Sequence, residues 1–203
     1  MTNPLCPDRK DADRLLTWAG IQNPGLWVDH SRVVARVAET VARWCGMDGD
    51  RAYALGLLHD IGRYEGVSDL HHVIAGYALL CENGYRDAAR ICLTHSFSYP
   101  DLRAYLGKQD CSEEELAFLR TFLETARYDD EDRLIQLGDA LGSAHGVVLL
   151  DIRLLDVIRR HGFAELGQKK IETVFAIKAH FDRLAGLNIY TLFSDEIQTN
   201  CFG

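Results

Sequence analysis

The chain is divided almost from end to end into helix-length segments, a pattern that leaves little room for a sheet. Apolar residues recur at helical spacing over 13–19, 27–45, 51–61, 72–82, 86–95, 113–128, 131–141, 147–160 and 169–184, so about nine helices are predicted. Gly20, Gly46, Gly84 and Gly162 each follow such a run, where a left-handed C-terminal cap favours a residue without a Cβ. Asp48, Ser112 and Asp130 stand at N-cap positions, and Ser112 with Glu115 has the spacing of a capping box. The longest unpatterned stretch, 96–112, contains Pro100 and reads as a lid or an irregular connection. With 203 residues and 47% hydrophobic content the chain can bury one substantial core. The expectation is an all-α, single-domain helical bundle spanning residues 1–203.

Several classes of partner are disfavoured. The six cysteines are scattered without a CxxC pair, and the chain opens without an apolar leader, which points to a reduced, cytoplasmic setting. No run approaches the roughly 18 apolar residues needed to span a bilayer, so no membrane partner is expected. A net charge of -8 gives no basic field for a long nucleic acid, and a small anionic substrate would need local cations. A homo-oligomer is compatible with the composition but is not specified by it.

The histidines add chemistry to the bundle. The segment LGLLHDIGRYEG, residues 55–66, places His59 and Asp60 where the apolar pattern calls for core. His30 continues an inward stripe through Val34, Val37, Val41 and Trp44. His72 lies in line with Gly76 and Leu80, and His95 with Ala88, Ile91 and Cys92. Asp139 follows Ile135 by one turn, among Gly138, Ala140 and Gly142, whose small side chains let another helix approach closely. Taken singly, each is compatible with a core histidine bonded to a carbonyl, or with a buried carboxylate that caps a helix or pairs with an arginine. Taken together, four inward histidines and two inward carboxylates on five helices match the donors that hold iron, manganese, nickel or zinc inside a bundle. A bound ion also removes the penalty for burying a carboxylate, on the order of several kcal/mol. His71 falls about 100° around the helix from His72. His145 lies in a turn, His161 at a helix end, and His180 on a stripe with no second ligand type, so these four carry no assignment.

The order His30, His59-Asp60, Asp139, with HDIG at 59–62, resembles the HD-domain superfamily over roughly residues 27–144. The resemblance implies a metal-binding core there, with helices from 145–203 packed on it. It assigns a first metal to His30, His59, Asp60 and Asp139. The segments HVIAGYALL and CLTHSF are similar to the extra histidine segments of dinuclear members, which nominates His72 and His95 for a second metal, with Asp60 bridging. Some members carry adjacent histidines in the later segment, whereas Ser96 follows His95 here, leaving the second ion fewer protein ligands. The implied cofactors are two divalent ions, drawn from Fe, Mn, Ni, Co, Zn or Mg.

Two such ions suit in-line displacement at phosphorus by a metal-activated water, and they supply the positive charge that an acidic chain lacks. The expected activity is therefore that of a phosphohydrolase acting on a small phosphorylated substrate, which the resemblance implies is of the nucleotide or dinucleotide type, with Asp60 and Arg63 as catalytic residues. Arg63, one turn past His59, is placed either to contact a phosphate bidentately or to sit in solvent at a helix end. The rival readings are an HD-type di-iron oxygenase and a regulatory module that binds metal or nucleotide without turnover. Substrate choice is expected to come from 96–112 and the C-terminal helices. The cluster Arg159, Arg160, Lys169 and Lys170 reads as a solvated surface.

Overall fold

The computed structural model describes residues 5–162 and 165–202. Ten α-helices are present among them: α1 (Arg9–Gln22), α2 (Leu26–Trp44), α3 (Gly49–Leu58), α4 (His71–Glu82), α5 (Arg86–Thr94), α6 (Glu113–Thr125), α7 (Asp130–Leu141), α8 (Leu150–His161), α9 (Glu165–Ala185) and α10 (Ser194–Phe202). The only strands among the described residues, Gly142–Ser143 and Gly146–Val147, form a small antiparallel hairpin between α7 and α8. No described helix is long and apolar enough to cross a membrane.

Helix α2 runs against α3 and α7, because Val34, Val37, Val41 and the alanines 35, 38 and 42 present fully buried, compact side chains. Gly56 of α3 lets the two backbones meet, since a Cβ there would lie 2.9 Å from the Ala35 Cα. Gly138 and Gly142 flank Asp139 and take Val34 in the same way, with virtual Cβ distances of 3.2 and 3.0 Å. Trp44 departs from the predicted stripe: it is 55% exposed at the last residue of α2, where the core ends.

Several boundaries differ from expectation for local reasons. Gly46, Gly84 and Gly162 have the positive φ of helix ends, 72°, 83° and 78°. Gly20 instead lies inside α1, which runs on to Gln22, and a Cβ at Gly20 would meet Val28 at 3.0 Å. The N-cap of α7 is Asp129 rather than Asp130, because the Asp129 carboxylate accepts from the N–H groups of Glu131 and Asp132 and closes a capping box with Asp132. The helix expected to reach residue 61 stops at Leu58 and gives way to a 3-10 turn, Ile61–Glu65. Helix α10 had no expectation over it; its sequence, SDEIQTNCF, buries only Ile197 fully.

The stretch 96–112 is a packed irregular connection. Phe97, Tyr99, Leu102 and Ala104 are buried in a second apolar cluster with Leu119 and Leu123 of α6 and with Leu70, Val73 and Leu93. Its residues 105–107 then reach the rim of a cleft described below.

Candidate metal centre

The His-Asp pair sits at a break between two kinds of helix. Consecutive side chains on a continuous α-helix diverge by about 100°. At Asp60 the backbone turns to φ -104°, ψ 13° as α3 passes into the 3-10 turn, and both side chains then face one centre, with His59 Nε2 4.0 Å from Asp60 Oδ2. Gly62 presses this turn onto α4: a Cβ there would lie 2.0 Å from the His72 carbonyl oxygen and 2.3 Å from the Gly76 nitrogen. That approach brings His72 Nε2 to 3.1 Å from Asp60 Oδ1. His95, just past α5, places its Nε2 3.4 Å from the same oxygen and 3.4 Å from His72 Nε2. On the other side, His30 and His59 have ring centroids 5.2 Å apart, and His30 Nε2 is 3.1 Å from Asp139 Oδ1. All six residues singled out for metal binding in the sequence therefore converge.

At this centre potential donor atoms form two groups, His30, His59 and Asp60, and Asp60, His72 and His95, each with all its atoms within 4.8 Å of one another; a third such group, His71, Cys111 and Glu115, shares no residue with them. Asp60 belongs to both groups at the centre. Asp139 stands at the edge of the first group through His30.

The hydrogen bonds select the donor nitrogens. His59 Nδ1 lies 2.7 Å from the Gly56 carbonyl, His95 Nδ1 3.2 Å from that of Ile91, and His72 Nδ1 bonds the Asp69 carbonyl. A carbonyl only accepts, so each Nδ1 carries the proton and each Nε2 presents a lone pair to the centre. His59 Nε2 is buried and has no hydrogen-bond partner. An orphaned lone pair there is costly unless a cation takes it, so the residues fit a metal ion. The Ser96 hydroxyl is 2.9 Å from His95 Nε2 and donates to it.

The charges also fit. Burial depresses the His59 imidazole to about 4, and burial likewise lowers His72, so both are neutral at ordinary pH. Burial pushes the Asp60 carboxyl up, but the Arg63 guanidinium foremost holds it well below the usual carboxylate range. At Asp139 burial is likewise outweighed, chiefly by the hydrogen bond from His30. Neutral imidazoles around ionised carboxylates are the protonation states that divalent ions require.

Arg63 is not a solvated helix-end cation. Its Nε donates to Asp60 Oδ2 at 2.6 Å and its Nη1 to the Ser68 carbonyl at 3.3 Å.

The centre forms the floor of an open cleft of about 670 Å³, walled by Trp27, Tyr105, Arg153, Leu154, Val157 and Lys170 among others. Arg153 and Lys170 had no assignment from the sequence, and the placement of Lys170 corrects its reading as surface. Lys169 does lie outside, with its ammonium 4.1 Å from the Tyr99 ring centroid, and Arg159 is exposed. The side chains of Arg160 and His161 lie outside the described residues. His71 is held by Glu65 at 3.1 Å and Glu115 at 3.5 Å. His180 bonds Asp130 at 2.8 Å, and His145 is exposed in the hairpin turn. None of these three joins the centre.

The fold and floor together define an all-α bundle with buried imidazole and carboxylate donors for metal. Comparison with protein families makes this specific: the HD-domain model matches residues 27–144, and the chain belongs to the HD-domain family. No solved structure gives a significant match. The family places the protein in a metal-dependent superfamily of generally hydrolytic enzymes whose members bind divalent metals.

Proposed function

We propose that this protein is a phosphohydrolase that cleaves a phosphoester or phosphoanhydride of a small nucleotide-type substrate at a two-metal centre. The observation that carries the reading is Asp60, one buried carboxylate shared by two separate groups of imidazole donors. His30, His59, Asp60 and Asp139 would hold one ion, and His72 and His95 would hold the second, with Asp60 between. Such ions would supply Lewis acidity at a phosphate oxygen and lower the pKa of water.

The chain's own contribution is positional. The carbonyls of Gly56, Asp69 and Ile91 fix the tautomers and ring planes of His59, His72 and His95. Arg63 fixes Asp60 Oδ2, which leaves Oδ1 toward His72 and His95. A phosphate that reached the floor would meet the outer edge of the same guanidinium and could accept a charged hydrogen bond from it.

The test is a nucleotide and dinucleotide screen with manganese, cobalt, nickel or iron, run in labelled water with and without dioxygen. The expected result is anaerobic turnover with one solvent oxygen delivered per cleaved phosphate bond. Strict dependence on dioxygen and iron would overturn hydrolysis in favour of oxygenase chemistry. Tight nucleotide binding with no product would favour a sensor.

A further inference from the structure

Helix α9 carries two inward lysines two turns apart, and they are treated differently by their surroundings. Lys178 is buried and fully engaged: its ammonium donates to Asp182 at 2.7 Å and to Asn188 at 3.0 Å. Lys170 lines the metal-floored cleft, and its one hydrogen bond among the described residues is to the Ala104 carbonyl at 3.3 Å. No carboxylate lies within ion-pair distance of it among the described residues. A desolvated ammonium has three donors and is normally paired, so Lys170 has donor capacity that the fold leaves open to the cleft. Arg153 of α8 lines the same wall, with its Nη1 3.7 Å from Asp156.

We infer that Lys170, assisted by Arg153, is the substrate-binding cation of this cleft, and that it takes the terminal, dianionic phosphate of a phosphomonoester from the Asp139 side. Arg63 stands on the Asp60 side. This rests on the hydrolase reading above and narrows it from phosphate esters at large to monoesters.

Three observations lead there. Lys170 lines the cleft together with Asp139 and Arg153; burial is the main influence lowering its ammonium, Asp139 opposes it and Arg153 reinforces it, so an arriving dianion would favour the charged ammonium. The cleft lining holds four carboxylates, Asp60, Asp69, Asp139 and Asp156, against three cations, Arg63, Arg153 and Lys170. It therefore repels anions when bare and attracts them once divalent ions are bound, most strongly those with two charges. Trp27, Leu154, Val157 and Val174 supply an apolar wall for the organic part of such an ester.

The experiment measures binding of two probes, inorganic phosphate and dimethyl phosphate, to manganese-loaded protein by calorimetry, with metal content checked in every sample. Lys170→Gln is expected to weaken phosphate binding about 10- to 100-fold, as loss of a charged hydrogen bond does, while Lys170→Arg stays within a few-fold of the parent. Arg153→Gln should lose less, because Asp156 already shares that guanidinium. Dimethyl phosphate, a monoanionic diester, should bind weakly and respond little to any of them. If Lys170→Gln does not fold, the Lys170→Arg and Arg153→Gln pair decides by the same comparison. Parent-like phosphate affinity in metal-replete Lys170→Gln would overturn the inference, and phosphate binding that still vanished on chelation would leave the hydrolase reading standing. A metal-loaded parent that binds no phosphate would overturn both.

Discussion

Helices α2 and α9 present the same pattern to the core. In α2 it is His30, Val34, Val37, Val41; in α9 it is Lys170, Val174, Ile177, Phe181; both follow the i, i+4, i+7, i+11 series and both series are buried behind their polar head. The first was legible and the second was not. An imidazole at the head of an apolar stripe has few roles, and here three more imidazoles and two carboxylates repeat the signal on other helices. A lysine beside another lysine near a helix start looks like solvated surface, and only its neighbours in space distinguish Lys170 from Lys169. The imidazole and carboxylate cluster is thus written in residue type and period, whereas the proposed substrate contacts depend on which face of a later helix lines the cleft.

The largest expected effect tests the α2 side. Asp60→Ala removes the carboxylate common to both donor groups, so the variant should retain neither ion and show only background turnover. His95→Ala should lose mainly one ion. Elemental analysis of stoichiometry separates the two, and full metal content in the Asp60 variant would break the assignment.

Next is the glycine that joins the His-Asp turn to α4. Gly62→Ala forces a methyl into backbone atoms of His72 and Gly76, which cannot rotate away as a side chain can. A loss of about 3 kcal/mol or more is expected, at the upper end of overpacking effects, and a urea melt measures it. A variant as stable as the parent would mean that the turn and α4 are not in contact.

Acidification separates the two regions through a different property. His59 titrates near 4 in the fold and near 6.5 when unfolded. Between these values the unfolded chain takes up a proton that the folded chain refuses, so stability falls as pH falls. Above 6.5 the group contributes nothing. For metal-free protein the His59 share is about 3 kcal/mol across that window, and His59→Gln should flatten the profile by that amount. His72, lowered in the same direction, adds to the slope. A profile with the same slope in parent and variant would contradict the burial of a neutral imidazole.

The cations give the finer contrast. Arg63→Ala leaves Asp60 Oδ2 without its 2.6 Å partner and is expected to lower catalytic efficiency by roughly 1.5 to 3 kcal/mol in transition-state free energy. The sequence placed Arg63 near the site but could not decide between phosphate contact and solvent. The bond to Asp60 is an i, i+3 contact made across the 3-10 turn at 61–65, where period counting reads helix only up to residue 61. Arg153 was hidden for a different reason: a helix over 147–160 was expected, but its period does not say which side chains of α8 line the cleft. Wild-type efficiency in the Arg63 variant would mean that the pair neither positions Asp60 nor meets substrate.

The smallest effect is expected in the region where sequence and structure agree most closely. Ser112 accepts from the Glu115 N–H at 3.2 Å, and the Glu115 carboxylate accepts from the Ser112 N–H at 2.7 Å, the box that the spacing alone predicted. Ser112→Ala removes the first bond and keeps the second, so about 1 kcal/mol of stability should be lost. Helix α6 packs its Leu119 and Leu123 in one apolar cluster with residues 97–104, Val73 of α4 and Leu93 of α5, and none of its residues lines the cleft. The metal content and phosphate affinity of the variant should therefore match the parent. A fall in phosphate affinity would show that the cap of α6 also sets residues 105–107 at the cleft rim, and would tie the second apolar cluster to substrate binding rather than to stability alone.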